Sequence, residues 1–242
     1  MPSFSPLWPD GPLFAPARHA PLSTDSVLLA DFVRLSGVRR GIDLGCGSGI
    51  LALLLLSRSQ RLEMTGLELL EEAASLAREN LSANGLEARA GILTGDVRTV
   101  RERFRPGSFD LAVSNPPYFP TGSGALSPDP DRALARSEQS CSLEELCDAA
   151  AWLCREGGRF CLVHKPEQLS RIFCTLSARG LEPKRLRLVC PRPGSAPSLV
   201  LIEARRAGKP GLVIEPELIL RDPDGRETEE ARRIYHRDAP ET

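Results

Sequence analysis

The segment Asp43-Leu44-Gly45-Cys46-Gly47-Ser48-Gly49 constrains the fold of this chain more than any other feature. It joins the apolar stretch Gly41 to Leu44 to the apolar run Ile50 to Ser57, so the sequence predicts a buried strand, a tight turn and a helix. Glycines in such a turn let the backbone approach a ligand closely, and the start of the helix suits nucleotide-like cofactors. The segment therefore predicts an α/β fold with a ligand at the end of its first buried strand.

The spacing of the glycines separates two classes of cofactor. A dinucleotide fingerprint counted from Gly45 requires glycine where the chain has Ile50. Asp43, just before the turn, would repel a pyrophosphate but attract a cationic ligand such as S-adenosylmethionine, which carries a sulfonium and an ammonium group. A structural alternative for Asp43 is a carboxylate that caps the amides of the turn.

Two further acids follow the next two predicted strands. Glu68 ends the strand Met64 to Glu68, 19 residues after the glycine-rich turn, the offset at which an acid normally binds ribose hydroxyls. Asp96 ends the strand Ile92 to Asp96, where its carboxylate can accept from an adenine amine. Because the carboxyl ends of parallel strands share one edge of a sheet, Asp43, Glu68 and Asp96 are expected to line one site.

A second motif, Asn115-Pro116-Pro117-Tyr118, lies about 70 residues after the glycine-rich turn and follows the predicted strand Phe109 to Ser114. The exocyclic nitrogen of adenine, or a glutamine amide nitrogen, is a poor nucleophile because its lone pair is delocalised. If the Asn115 side-chain oxygen and the Pro116 carbonyl each accept one N–H bond, the lone pair is redirected toward an electrophile. A structural alternative is a proline-rich turn after a buried strand. Together with the glycine-rich turn, the motif favours methyl transfer onto an amine.

The surroundings of this motif suit a planar substrate. Two successive prolines hold the residues before them extended and leave no backbone donor to compete for the amine. The aromatic faces of Tyr118 and Phe119 can stack on a base or an amide plane. The irregular segment Thr121 to Ser137 is interpreted as a lid. The candidate catalytic residues are Asn115, Pro116, Pro117 and Tyr118.

The rest of the chain predicts a frame of helices and strands. Ser142 and Glu145 form a capping box for a helix that runs to about Cys154 and ends at Gly157-Gly158. Ser23 to Ser26 begin a capped amphipathic helix. Further helices are predicted at 71–81 and 167–178, and further strands at 159–164, 186–190 and 199–205, which complete a seven-stranded sheet.

Length and composition are those expected of one cytoplasmic domain. The 242 residues suffice for one substantial core, and no apolar run is long enough to span a membrane. The first 21 residues contain six prolines and lack the basic start and apolar centre of a secretion signal, so residues 1–22 are predicted to be an arm. Residues 23–242 are predicted to be one domain with a C-terminal extension from about residue 210. The seven cysteines form no C-x-x-C pair, so neither metal nor disulfides are expected.

Charge is segregated along the chain, although the net charge is only −1. Nucleic-acid binding usually leaves a strongly basic footprint, which the whole chain lacks. Between Arg179 and Lys209, however, eight basic residues oppose two acids, a net of +6. Between Glu215 and Glu230, seven acids oppose two arginines, a net of −5. The basic segment forms either a surface patch or the solvated outer positions of two late strands.

Several of these segments together resemble the bacterial tRNA1(Val) (adenine-37-N6)-methyltransferase family. The resemblance spans nearly the whole chain. The glycine-rich turn and the Asn115 motif are shared by many amino-methyltransferases. The more specific segments are Thr24 to Ala30, Val163-His164-Lys165-Pro166-Glu167 and the tail Glu217 to Tyr235.

The resemblance implies a class I methyltransferase (Rossmann-like) α/β fold, with a seven-stranded, mostly parallel sheet, an antiparallel last strand and helices on both faces. It implies S-adenosylmethionine as cofactor and N6-methylation of the adenosine just 3′ of the anticodon in tRNA. Asn115, Pro116 and Tyr118 would hold the base. The residues expected to bind the cofactor are Thr24, Asp25, Asp43, Gly45, Gly47, Gly49, Glu68, Leu69, Asp96, Val97 and Asn115.

Other functions remain open at this point. The Asn115 site can also polarise a glutamine amide of a protein such as a release factor. Enzymes of that kind usually carry a helical recognition domain first, and only about 40 residues precede Asp43 here. A non-catalytic RNA-binding module can retain the fold, although intact Asn115 and Asp43 weigh against it. DNA adenine and small-molecule amines rank lower.

Overall fold

The structure, a computed structural model, describes residues 2–17, 24–117 and 141–237. Some sequence predictions lie outside these ranges and stay predictions. They concern Tyr118, Phe119, the segment Thr121 to Ser137 and the helix cap at Ser23.

A central sheet forms the frame of the molecule. After a short pair, β1 (Ser5–Pro6) and β2 (Leu13–Phe14), its strands are β3 (Arg40–Leu44), β4 (Glu63–Glu68), β5 (Ala90–Thr94), β6 (Phe109–Ser114), β7 (Cys154–His164), β8 (Leu181–Cys190), β9 (Leu199–Arg206), β10 (Val213–Ile214) and β11 (Leu218–Ile219). The spatial order is β10-β8-β9-β7-β6-β3-β4-β5, and β11 also pairs with β8. Strands β3 to β7 are parallel to their neighbours within that group, whereas β9 is antiparallel to β7 and β8.

Helices cover both faces of the sheet. They are α1 (Thr24–Phe32), α2 (Ile50–Arg58), α3 (Glu71–Ser82), α4 (Val100–Arg103), α5 (Leu143–Leu153), α6 (Leu169–Ala178) and α7 (Glu229–Ile234), with 3₁₀ turns at Val97–Thr99 and Pro166–Gln168. Leu111 and Val113 of β6 belong to the core formed with α1, α2 and α3. Ala112 belongs to the core formed with α4, α5 and α6. Successive side chains of β6 therefore point into two separate apolar layers, as a strand buried on both faces requires.

The fold prediction is confirmed in type and corrected in strand number. The order β8-β9-β7-β6-β3-β4-β5 contains the seven predicted strands, with β9 antiparallel. β10 and β11 each add two residues in parallel with β8, so the sheet has nine strands within the described ranges. Two residues are too few for an alternating apolar pattern to be recognised in the sequence.

The predicted helix from Ser142 to about Cys154 is confirmed within one residue, but its predicted terminus at Gly157-Gly158 is wrong. The Ser142 side chain accepts from the Glu145 backbone, and the Glu145 carboxylate accepts from the Ser142 backbone. The helix nevertheless ends at Leu153, and β7 begins at the next residue, Cys154. The glycine pair at 157 and 158 therefore lies inside a strand.

A bulge explains why glycines occur in β7. The pairing of β6 with β7 shifts between Phe109 and Leu111. Gly157 has φ 73°, a left-handed conformation that favours glycine. A Cβ on Gly158 would lie 2.8 Å from the Arg155 carbonyl oxygen. Both glycines are thus required by the bulge and not by a helix terminus.

Helix α1 is not amphipathic, contrary to the prediction. Its consecutive residues Leu28, Leu29 and Ala30 are all buried, as is Ser26. The helix contacts α2, α7 and strands β7 and β9. Because neighbours enclose it on more than one side, no polar face develops.

The proline-rich arm is hydrogen-bonded to α3. Asn80 Oδ1 accepts from the Ala15 amide at 2.7 Å, and Asn80 Nδ2 donates to the Ala15 carbonyl at 3.0 Å. Asn84 makes the same pair of contacts with Leu13, each at 2.8 Å. Two carboxamides, one in α3 and one in the turn that follows it, therefore bind the arm as an extended strand.

The C-terminal extension packs on the same side of the molecule as the proline-rich arm. Arg233 of α7 pairs with Asp31 of α1 at 3.1 Å. Trp8 of the arm stacks on His236, with ring centroids 3.8 Å apart. The arm, α1 and the extension therefore form one contiguous layer.

The basic and acidic segments bind each other. Arg185 pairs with Glu215 at 2.8 Å and with Glu203 at 2.6 Å. Arg187 pairs with Glu230 at 2.8 Å. Arg185 is only 7% exposed, so it is not a solvated residue on the outside of a strand. Two arginines of the basic segment are therefore paired with acids of the acidic segment, and these two do not form a surface patch.

Candidate active site

Asp43 is a buried carboxylate near the end of β3. It is 1% exposed, and neither carboxylate oxygen has a hydrogen-bond partner among the described residues. Burial, and in second place the charge of Glu68, raise the pKa of its carboxyl group from 3.8 to about 8. The structural alternative, in which Asp43 caps the amides of the turn, is therefore wrong. A buried carboxylate without a partner is costly to ionise unless a cation or donor binds it.

The glycine-rich turn is built as the sequence predicts. Gly45, Gly47 and Gly49 have φ values of 73°, 53° and 83°. A Cβ on Gly49 would lie 3.1 Å from the Ala77 Cβ, so glycine there allows the turn to pack on α3. Nothing lies within 4 Å of a Cβ placed on Gly45 or Gly47, which leaves open space beside the turn. The turn therefore combines a left-handed backbone with room for a ligand.

Glu68 lies at the end of β4, the strand next to β3. One carboxylate oxygen accepts from the Gly47 amide at 2.8 Å, and the other accepts from the Leu70 amide at 3.0 Å. Leu69 beside it is 38% exposed, although it is a large apolar residue. Glu68 therefore supports the glycine-rich turn, and Leu69 presents an apolar surface at the same edge of the sheet.

Asp96 was predicted to be the last residue of β5, but it lies two residues beyond the end of that strand. β5 ends at Thr94, because Asp96 instead caps the 3₁₀ turn that follows. Its carboxylate accepts from the Arg98 backbone at 2.8 Å and pairs with the Arg98 guanidinium at 2.6 Å. These contacts with Arg98 lower the pKa of Asp96. Val97 is 9% exposed and packs in the apolar core.

Asn115 directly follows β6, which pairs with β3 on the side opposite β4. Val113 pairs with Asp43, so Asn115 lies two residues, roughly 7 Å, further along the strand direction. The hydroxyl of Ser114 donates to the Leu44 carbonyl at 2.7 Å and fixes the end of β6 against the start of the turn. Pro116 is buried and Pro117 is exposed. The two sequence motifs therefore meet at the carboxyl edge of adjacent strands.

The first turn of α1 reaches the same place. Asn115 Nδ2 donates to the Ser26 hydroxyl at 3.0 Å. The Thr24 hydroxyl lies 3.4 Å from an Asp25 carboxylate oxygen. Thr24 is exposed and Asp25 is half-buried, so both are accessible beside the fully buried Ser26.

Sequence reasoning missed two residues at this site. Ser26 was assigned only to a helix cap, and its contact with Asn115 crosses 89 residues of sequence. Asn80 is fully buried, and its Nδ2 donates to the Ser48 carbonyl in the glycine-rich turn at 2.9 Å. An asparagine in the last turn of an amphipathic helix gives no sequence signal of such a role. Only the fold brings these carboxamide and hydroxyl groups to the turn.

The residues at this edge fit S-adenosylmethionine. The buried Asp43 carboxylate can bind a cationic group, and the open space beside Gly45 and Gly47 can receive it. The exposed side chain of Leu69 can cover an apolar ring face. No group of three residues with metal-ligating side chains occurs in the part of the chain that the structure describes. In the same ranges, no helix is long and apolar enough to cross a bilayer.

Comparisons with known proteins agree with this geometry. The methyltransferase small domain family matches residues 19–128. The fold is similar to that of a predicted O-methyltransferase from Agrobacterium tumefaciens, with a TM-score of 0.70 and 23% identity, over 89% of this chain and 98% of the other. The fold and the site define a class I methyltransferase.

Sequence relatives identify a narrower group. A tRNA1(Val) (adenine(37)-N6)-methyltransferase from Tolumonas auensis is 34% identical over 206 residues, which are 85% of this chain and 84% of that relative. One from Escherichia coli O157:H7 is 33% identical over 205 residues, 84% of this chain and 81% of the relative. This chain belongs to the tRNA1(Val) (adenine(37)-N6)-methyltransferase family.

Proposed function

We propose that this protein transfers a methyl group from S-adenosylmethionine to the N6 amine of the adenosine just 3′ of the anticodon in tRNA1(Val). The names of its relatives suggest the substrate. The observation that carries the chemistry is the position of Asn115 beside Asp43 at the ends of two adjacent parallel strands. One residue can then hold an amine while the other holds a cationic cofactor. Because tRNA is the proposed partner, we place the enzyme in the cytoplasm.

Asn115 and Pro116 are the proposed acceptors for the substrate amine. The Asn115 amide nitrogen already donates to Ser26, so its oxygen is oriented as the acceptor. With the Pro116 carbonyl as second acceptor, both N–H bonds of the amine are held, and its lone pair is directed away from the base. Pro117 keeps Pro116 extended, and we propose that Tyr118 stacks on the base.

Three carboxylates and the glycine-rich turn are the proposed cofactor site. When bound, S-adenosylmethionine supplies an electrophilic methyl group. Asp43 would hold its positive charge, Glu68 its ribose hydroxyls, and Asp96 its adenine amine. Glu68 and Asp96 each hold backbone amides as well, so their carboxylates are already oriented before a ligand arrives. The other proposed contacts come from Thr24, Asp25, Gly45, Gly47, Gly49, Leu69 and Val97.

Positioning and polarisation of the amine account for the catalysis. Two acceptors aimed at the N–H bonds stabilise the charge that develops on nitrogen as it forms the new bond. The amine releases a proton after transfer, and we propose that water receives it.

The test is methyl transfer from labelled S-adenosylmethionine to tRNA from a strain that lacks the enzyme, followed by nucleoside analysis. We expect N6-methyladenosine in valine tRNA with the wild-type protein. Asn115→Ala should remove nearly all of the product and retain cofactor affinity, measured by calorimetry, because Asn115 is proposed to act mainly on the amine. Equal loss of methylation and cofactor affinity would contradict that role. Labelling of a protein glutamine, with none of tRNA, would replace the proposed substrate.

A further inference from the structure

We infer that Ser26 is a positioning residue, whose hydroxyl fixes the Asn115 carboxamide in the orientation that accepts the substrate amine. The inference rests on the proposed role of Asn115. It begins from the 3.0 Å hydrogen bond between Asn115 Nδ2 and Ser26 Oγ. No catalytic or cofactor-binding role suggested by the sequence motifs includes Ser26.

A carboxamide has two orientations of nearly the same shape but of opposite chemistry. In one, its oxygen faces the substrate and accepts an N–H bond. In the other, its NH₂ group faces the substrate amine and repels it. Asn115 therefore requires a neighbour that prefers its nitrogen on the side away from the substrate.

Ser26 supplies the acceptor on that side, at a position that is buried and held by a helix. It is 3% exposed and lies in the first turn of α1, between the buried residues of that helix and the end of β6. Leaving the Asn115 N–H without an acceptor at such a place would cost more than the same loss in water. The hydroxyl accepts this N–H bond, so the amide oxygen remains for the substrate.

The backbone beneath Asn115 is fixed by a separate contact. The Ser114 hydroxyl donates to the Leu44 carbonyl at 2.7 Å and holds the end of β6. The backbone and the side chain of the acceptor are thus held by two different hydroxyl groups. Loss of Ser26 should free the carboxamide to rotate without moving the strand, so its effect should fall on turnover and not on folding.

The decisive experiment compares Ser26→Ala with Ser26→Thr in the full chain. Ser26→Ala removes the acceptor and should lower kcat for tRNA methylation roughly tenfold, the expected effect of one hydrogen bond. The KM for tRNA, the Kd for S-adenosylmethionine and the melting temperature should stay near wild-type values. Ser26→Thr retains a hydroxyl and should recover most of the lost kcat. Ser57→Ala is the matched control, because this helical hydroxyl bonds the Leu54 carbonyl of its own helix.

Two further readouts separate positioning from other roles. Exchange of the Asn115 side-chain amide protons, followed by NMR without cofactor, should accelerate in Ser26→Ala and not in Ser57→Ala. In a double-mutant cycle, adding Ser26→Ala to Asn115→Ala should have no further effect, because Ser26 acts through Asn115.

Each outcome has a definite meaning. Wild-type kcat in Ser26→Ala would overturn the inference while leaving the proposed function intact. A parallel fall in kcat, cofactor affinity and melting temperature would also overturn it, because the residue would then be structural. Full activity in Asn115→Ala would instead refute the proposed role of Asn115, and the inference about Ser26 would fall with it.

Discussion

Asp43 and Arg185 are both buried ionisable residues, but their surroundings differ. Arg185 is enclosed by the carboxylates of Glu203 and Glu215, and its guanidinium also donates to the Phe32 carbonyl at 3.3 Å. Asp43 is more deeply buried, yet its carboxylate oxygens have no hydrogen-bond partner within the described ranges. The charge of Arg185 is satisfied within the protein, whereas the charge of Asp43 is not.

This difference separates a structural charge from a functional one. An internal ion pair gains its stability from partners that fold with it, so removal of one partner leaves the other buried and unpaired. A buried carboxylate without partners destabilises the protein when ionised, and this cost is recovered only when a ligand binds. The comparison therefore predicts opposite effects of substitution in the two regions.

Substitution of Arg185 should have the largest effect on stability. Arg185→Ala leaves Glu203 buried without its partner, which should lower the free energy of unfolding by about 3–5 kcal/mol. Chemical denaturation measures this loss. Arg226→Ala is the control, because its pair with Asp224 is 3.7 Å long and both side chains are exposed, so no measurable change is expected. A change as small in Arg185→Ala would show that the internal pair contributes little.

Substitution of Asp43 should affect binding more than folding. Asp43→Asn removes the charge and should weaken S-adenosylmethionine binding roughly 10- to 100-fold, the effect of losing one charged hydrogen bond. The unfolding free energy at pH 7 should not decrease, because no internal partner is lost. Calorimetry and denaturation on the same sample measure the two quantities. A strongly destabilised variant with normal affinity would reverse the assignment.

The pH dependence of S-adenosylmethionine binding should show the smallest of the three effects. Because burial raises the pKa of Asp43 to about 8, the carboxyl group without ligand is mainly protonated below that pH. A cationic ligand requires the carboxylate, so affinity should rise by about tenfold per pH unit up to pH 8 and then level off. Binding should release a proton, detectable by calorimetry in buffers of different ionisation enthalpy. A flat profile would remove Asp43 from the cofactor site.

The same pKa has a consequence for folding. A raised carboxyl pKa means that the folded state binds a proton which the unfolded state releases. The stability that this bound proton gives to the folded state is therefore complete below pH 3.8, the ordinary pKa of the group. It is lost as the pH rises toward about 8. Asp43→Asn should gain stability relative to wild type across that interval, and this comparison separates the linkage from other titrations.

Local patterns predicted much of the fold and the place in it where the candidate site residues lie. The glycine-rich turn, the apolar strand before Asn115 and the capping box at Ser142 each combine a chemical requirement with a fixed spacing, and each was located correctly. Parallel strand ends then bring Asp43, Glu68 and Asn115 to one edge. These features depend on contacts within a few residues or on a general rule of sheet topology.

The errors arose where contacts distant in sequence decide the structure. The burial of α1 on several sides depends on α7, more than 190 residues away, so the local pattern suggested an amphipathic helix. Gly157 and Gly158 resemble a helix terminus until the pairing of β6 with β7 shows a bulge. Arg185 resembles part of a basic patch until Glu215 is placed beside it.

The stack of Trp8 on His236 joins residues that are 228 positions apart in sequence (236 − 8). During synthesis, Trp8 emerges from the ribosome before the 227 residues that separate it from His236, so it obtains this partner only after they have been translated. The layer formed by the arm, α1 and the extension therefore closes late, and long-range closure of this kind is slow. The indole of Trp8 thus provides a natural fluorescence signal for the last stage of maturation of the newly made enzyme.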